Sequence, residues 1–401
     1  MQGINPQIFE WARSNAGMTL EEAAHALGIA SSDRLKAIED GSDVPTRPLL
    51  LKMSKQYRRS LLTFYLATPP RKGDRGQDFR TLPPDRSLSG DALLDALIRD
   101  LRARQSLVRA TLELEEEQEP LGFIGSARVS DDVAETARTL QSTMQVDLST
   151  YRGCKTPDDA FAYLRECAEN IGIFVLLVSN LGSHHTTIPV EVFRGYVIAD
   201  PIAPFVVIND QDAKTAWSFT LVHEIAHLLL GSSGVSGTHG DLAIEQFCNE
   251  LAGELLLPRR ELQTLKVGNR QNLDEMLSLI SAFAGDRHIS REMVVYSLYK
   301  TGALNWSVWQ ALNVKLAEMR AQEKLRQAAR KQRGDSGPSY YVVRRYHLGR
   351  ALLEFANLGV NAGTLSPVKA AKILGVSPRS VYPLLVDMPQ RRFGDELRRG
   401  R

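Results

Sequence analysis

Apolar positions recur every three or four residues over most of this chain, which predicts a largely helical protein. The first seventy residues resolve into short helices. One runs from about Pro6 to Asn15 and is closed by Gly17, and a second over EEAAHALG ends at Gly28. A third, SSDRLKAIEDG, has Ser32 or Asp33 as its cap and stops at Gly41, and a fourth spans Thr46 to Tyr57. Thr19-Leu20-Glu21-Glu22 reads as a capping box, the hydroxyl accepting from the backbone while the carboxylate reaches back. RKGDRGQDFRTLPPDRS is rich in Gly, Pro and charge and predicts a surface linker. GDALLDALIRDLRARQSLVRATLELEEE then predicts a long amphipathic helix. Two more helical stretches, DVAETARTLQSTM and DAFAYLRECAENIG, precede three short apolar runs, IGIFVLLVSN, VEVFRGYVIAD and APFVVIND. These predict a small mixed sheet.

The helix that follows breaks the pattern. Residues 219–230, FTLVHEIAHLLL, are apolar except for Thr220, His223, Glu224 and His227. A buried helix carries three ionisable groups only if each finds a partner. His223 and His227 are four apart, so their imidazoles leave the same face and can share one ion. Two neutral imidazoles and a carboxylate suit Zn2+ with a fourth position open. Glu224 projects from the adjoining face, as a general base for water requires.

A third ligand is expected from the next helix, EQFCNELAGELLLP, residues 245–258. Glu245, Asn249, Ala252 and Leu256 share one face, so Glu245 is the expected ligand and Asn249 a hydrogen-bonding support for it. Ala252 lets the two helices approach, while Phe247, Leu251 and Leu255 form a separate core stripe. Glu250 and Glu254 point elsewhere and suit salt bridges or helix ends.

HEIAH followed by E-x-x-x-N-x-x-A-x-E-L-L-x-P resembles the ImmA/IrrE family of bacterial and phage metallopeptidases. FRGYVIADPIAPFVVIND and FTLVHE resemble the strands and turn that precede that family's metal helix, and HISREMVVYSLYKTG resembles its closing helix. The resemblance covers roughly residues 150–305. It implies a zincin-like domain with a two-histidine, one-glutamate zinc site. It also implies a helix-turn-helix repressor protein as substrate. Cys248 and Gly253 stand where the family more often has alanine, and neither removes a ligand.

Composition bounds the remainder. A chain of 401 residues, 43% hydrophobic and 24% charged, is long enough for two or three domains. Cys154, Cys167 and Cys248 form no disulfide framework and fit a reducing cytoplasm, and no apolar run reaches membrane-spanning length. The net charge of +2 does not by itself demand nucleic acid.

The N-terminal helices resemble the Cro/repressor-type helix-turn-helix. In that arrangement Ser31, Ser32, Arg34 and Lys36 would meet DNA, yet Glu21 and Glu22 repel phosphate and a protein-docking role stands beside it. Near the C-terminus LSPVKAAKILGVSPRSVYPLL repeats the A-A-x-x-L-G pattern, now among basic residues that include Lys369, Lys372, Arg379 and Arg391. This second helix-turn-helix-like unit has the better electrostatics for nucleic acid, with a basic tail shielding a helical cap as the plainer reading. His184, His185 and His239 lie in loops that can border a cleft.

The expected architecture is α+β and mostly helical. It places a helix-turn-helix unit at 1–68, linker and amphipathic helices at 69–150, a zincin-like metallopeptidase core with a small β-sheet at 151–305, and a basic helical region at 306–401. The expected activity is zinc-dependent endoproteolysis in gene control. A DNA-binding regulator or antitoxin-like protein with a structural or sensory zinc site is the alternative, and a small-molecule zinc hydrolase a third.

Overall fold

The computed structural model describes residues 5–70, 77–80, 88–114, 119–237, 242–267, 272–331 and 339–386. The chain forms two compact units, one made of 1–76, 80–103 and 179–193, the other of 77–79, 104–178 and 194–401.

In the first unit, α1 (Gln7–Asn15), α2 (Leu20–Leu27), α3 (Ser32–Glu39) and α4 (Arg47–Gln56) precede a 3-10 turn at Leu61–Tyr65. They enclose a core that includes Phe9, Leu27, Leu35, Leu50, Met53 and Phe64. The capping box forms: Thr19 Oγ1 accepts from Glu22 N at 3.2 Å, and Glu22 Oε2 accepts from Thr19 N at 2.8 Å. Gly28 ends α2 at φ +68°. The cap of α3 is Ser31, not Ser32 or Asp33, because Ser31 is the last extended residue and Ser32 is already helical. Helix α5 (Leu88–Leu112) crosses from one unit into the other.

The second unit is built on a sheet of β1 (Gln77–Arg80), β2 (Phe174–Leu177), β3 (Gly195–Ile198), β4 (Phe205–Ile208) and β5 (Gly234–Gly237), in the order β1-β5-β3-β4-β2. It is mixed: β2 runs parallel to β4, with Phe174 opposite Phe205, whereas β3 runs antiparallel to β4, with Gly195 opposite Ile208. Every residue of β2 and β4 is buried, which explains their unbroken runs of apolar side chains. The expected strand VEVFRGYVIAD is shorter than its apolar pattern. Val192 N bonds Pro189 O in a turn, and pairing begins at Gly195.

Helices α6 (Val133–Thr143), α7 (Leu148–Arg152), α8 (Pro157–Asn170), α9 (Lys214–Leu229), α10 (Leu242–Leu256), α11 (Arg259–Leu262), α12 (Leu273–Gly285), α13 (Arg291–Lys300) and α14 (Trp306–Lys331) surround this sheet's core. Helix α9 packs on β3, β4, α8 and α10, and α6 packs on α10. The chain closes with α15 (Tyr340–Leu348), α16 (Arg350–Asn361), α17 (Pro367–Leu374), a 3-10 turn at Pro378–Ser380 and α18 (Val381–Leu385). Helices α15 and α16 lie against β2.

Arg165 of α8 pins that contact. Its guanidinium donates to the carbonyls of Tyr346 (2.5 Å), His347 (3.2 Å) and Val175, and it pairs with Glu169 at 3.4 Å. Glu169 accepts from Arg350 N at 3.2 Å. Burial pushes the Glu169 carboxyl up to about 7, and the charges of Arg165 and Arg350 only partly oppose this. Gly349 bends the chain here at φ +79°, and a Cβ on it would stand 2.5 Å from Arg165 Nη2 and 2.7 Å from Val175 O.

The fold is α+β and mostly helical, 63% helix with a small sheet. No helix among the described residues is long and apolar enough to cross a membrane.

Candidate metal centre

Helix α9 is buried along nearly its whole length, so its polar side chains must be satisfied inside the protein. His223 is 5% exposed, and Glu224 and His227 are fully buried. The facing helix α10 brings Glu245 to them from its first turn. Ala252, fully buried, has the small side chain that close packing of the two helices needs.

The three side chains converge. His223 Nε2 and His227 Nε2 are 3.2 Å apart, Glu245 Oε1 is 3.0 Å from His227 Nε2, and Glu245 Oε2 is 3.5 Å from His223 Nε2. Among the described residues they form the cluster able to hold a metal ion. Ligands about 2.0–2.1 Å from a tetrahedral zinc lie about 3.3–3.4 Å from one another. The observed separations bracket that value, so the donor set fits a zinc-sized ion by geometry and by chemistry.

The electrostatics of the cluster's own side chains follow from burial and proximity. Burial opposes charge on His223, but the hydrogen bond to Glu245, the charges of Glu224 and Glu245, and the nearby Asn249 amide as an acceptor together raise its pKa. Burial dominates at His227 and lowers it, with Glu245 opposing. Burial acts to raise Glu245, but both histidines outweigh this and hold it at about 2. The carboxylate is therefore anionic throughout the physiological range, as a ligand must be. Burial also pushes the Cys248 thiol up, which makes it a small buried hydrophobe rather than a thiolate ligand.

Glu224 leaves α9 on the adjoining face, toward β3. The strand makes room for it with a glycine: a Cβ on Gly195 would stand 2.5 Å from Glu224 Cδ and 2.9 Å from its Cγ. Sequence reasoning missed Gly195. A glycine inside the apolar strand FRGYVIAD was the available signal, since such a residue marks a close approach of another group.

Asn249 lies close enough to His223 to favour its charged form. Glu254 and Glu250 turn away to pair with Arg259 (3.8 Å) and Lys300 (3.5 Å). Ser31, Arg34 and Lys36 are exposed in the first unit and Ser32 is half-buried, and Arg34 is held by Asp43 at 3.2 Å. His185 is exposed on a short 3-10 turn, His184–Thr186. His239 and Arg391 lie outside the described residues.

Residues 173–299 match the IrrE N-terminal-like domain, a peptidase family. The match takes in β2 through α13 and with them His223, Glu224, His227, Glu245 and Gly195. It supports a metallopeptidase of the IrrE/ImmA type for this domain. No curated protein matches the chain. The IrrE-like domain is about a third of the chain, and the helical segments before and after it lie outside the matched residues.

Proposed function

We propose that the protein is a cytoplasmic zinc endopeptidase that cleaves a helix-turn-helix repressor in stress, phage or defence gene control. The observation that carries the chemistry is the convergence of His223, His227 and Glu245 at mutual separations of 3.0–3.5 Å. These three residues would hold the ion, with Asn249 steadying His223. Zinc, when bound, supplies a Lewis acid that polarises a scissile carbonyl and makes water acidic enough to attack at neutral pH. Glu224 takes the proton from the attacking water and returns it to the leaving amine. Its burial beside β3 keeps the carboxylate dry, and Gly195 fixes where it stands.

The flanking helical units suit a polypeptide substrate better than a small molecule. Free cysteines and the absence of a candidate membrane span among the described residues are consistent with the cytoplasm. The competing reading, a DNA-binding regulator or antitoxin-like protein with a structural or sensory metal, draws on the same flanking units. Glu224→Gln separates the two. Under the peptidase reading the purified variant keeps a stoichiometric metal by elemental analysis and loses at least about 10³-fold in cleavage of a repressor substrate. Undiminished cleavage, or regulation in cells that survives the change, sinks the peptidase reading.

A further inference from the structure

Two stretches of the chain share one local frame, and their surfaces differ in charge. Helices α2 and α17 each begin at a hydroxyl that accepts from the backbone N–H three residues on. Thr19 accepts from Glu22 and Ser366 from Lys369, at 3.2 and 3.3 Å. Each ends at a left-handed glycine, Gly28 at φ +68° and Gly375 at φ +60°. Ala23, Ala24 and Leu27 in one are matched by Ala370, Ala371 and Leu374 in the other, all buried. A short turn and a second helical segment follow in both cases: α3, or Pro378–Ser380 running into α18. In such a pair the first helix crosses a nucleic-acid backbone and the second presents side chains to the major groove.

The N-terminal copy is close to balanced in charge. Residues 5–70 hold seven acids against eight lysines and arginines. Arg13 is bound to Glu39 and Arg34 to Asp43, and Lys52 donates to the Leu27 carbonyl. Glu21 and Glu22 stand exposed at the start of α2, where a phosphate would have to approach.

The C-terminal copy is open. Residues 339–386 hold six lysines and arginines and a single acid, Glu354, which is buried against Arg350 at 3.4 Å. No carboxylate of this segment therefore faces solvent. Arg344 donates to the carbonyls of Leu374 (2.8 Å) and Gly375 (3.0 Å). Arg345 donates to those of Leu384 (2.8 Å), Pro383 (2.8 Å) and Val386 (3.1 Å). These bonds tie the ends of α17 and α18 to α15 and fix the two helices relative to each other. Lys369 and Lys372 are exposed three residues apart on α17, and Arg379 and Tyr382 are exposed three apart on the second segment.

We propose that residues 339–386 bind duplex DNA, with Lys369 and Lys372 on phosphates and Arg379 and Tyr382 entering the major groove. The N-terminal copy is not the DNA-binding one. A flexible acidic polypeptide would need only the charge. The paired helices held by two arginines add a rigid shape that fits a groove between two rows of phosphates. The assignment does not depend on whether the metal centre hydrolyses peptides.

The test is fluorescence anisotropy of the full-length protein with a mixed-sequence duplex, titrated between about 50 and about 200 mM salt. Lys369→Gln/Lys372→Gln/Arg379→Gln is expected to weaken binding at least about 100-fold at the lowest salt. It should also flatten the plot of log affinity against log salt by about 1.8, two phosphate contacts' worth. Lys369→Gln alone should flatten it by about 0.9, whereas Arg379→Gln alone should weaken binding about 10-fold and leave the slope near that of wild type. Arg34→Gln/Lys36→Gln is expected to bind like wild type, as is Glu224→Gln, which separates this test from that of peptidase function. Wild-type protein without salt-dependent binding overturns the proposal, as does loss of binding in the Arg34/Lys36 variant with retention in the C-terminal one. Displacement of the duplex by polyglutamate at equal charge concentration also overturns it, and marks an acidic protein as the partner.

Discussion

Two buried charge clusters lie within the second unit, and the contrast between them separates a ligand site from a structural tie. At Arg165 and Glu169 opposite charges face each other, and backbone carbonyls of Val175, Tyr346 and His347 take the guanidinium donors. That cluster closes on itself and joins α8, β2 and the α15–α16 turn. At His223, His227 and Glu245, two imidazole Nε2 atoms meet at 3.2 Å and both aim at one carboxylate. One proton can satisfy that meeting only in part; a cation satisfies all three groups. Burial alone does not distinguish the clusters. What distinguishes them is whether the groups converge on one another in pairs or on a common point.

The sharpest way to break the comparison is to remove the point of convergence. Glu245→Gln takes away the anionic ligand and leaves an amide of the same size, so metal content is expected to fall below stoichiometric and hydrolysis to vanish with it. Added zinc should raise the wild-type unfolding free energy by about 4 kcal/mol at a thousandfold excess over its dissociation constant, and that of Glu245→Gln by much less. Equal stabilisation of both proteins in chemical denaturation would mean that the cluster is a structural tie like the other.

Gly195→Ala tests the base without touching a ligand. The added methyl overlaps the Glu224 carboxylate, so the side chain must move, and a displacement of about 1 Å at a catalytic group costs about 100-fold in rate. Metal content should stay at the wild-type level while kcat falls and KM changes little. A variant that loses metal and activity together would show Gly195 supporting the fold of the site rather than the place of its base.

The two clusters were unequally legible in the sequence. HEIAH declared itself because ionisable residues stood on an otherwise apolar helix at a spacing that aligns two imidazoles. Glu245 and Asn249 followed from one helical face and needed only that α10 pack on α9. Arg165 and Glu169 gave no such signal. In RECAEN they look like an ordinary exposed i,i+4 pair, and what buries them is a contact with residues 346–350, about 180 positions away. Gly349 is likewise one glycine among 29 until its carbonyl and guanidinium neighbours are known. Gly195 lay between these cases: an apolar strand that contains a glycine announces a close approach but does not say to what. Local chemistry was readable, and long-range burial was not.

The smallest expected effect concerns the closed cluster and its pH dependence. Burial raises the Glu169 carboxyl from 4.5 to about 7 in the folded protein. A raised acid binds its proton more tightly when folded than when unfolded. Its contribution to stability is therefore complete below about 4.5, declines as pH rises, and is gone above about 7. At about 1.4 kcal/mol per pH unit the span is at most about 3.5 kcal/mol, and relaxation of the cluster should make it smaller. Glu169→Gln cannot titrate. It should be less stable than wild type at every pH because it leaves Arg165 without its counter-charge. The informative quantity is the difference between the two stability profiles, in which all other titrating groups cancel. Wild type should gain on the variant as pH falls from about 7 to about 4.5. Parallel profiles in urea unfolding over that window would mean that Glu169 stays ionised throughout, and that Arg165 and Arg350 outweigh its burial.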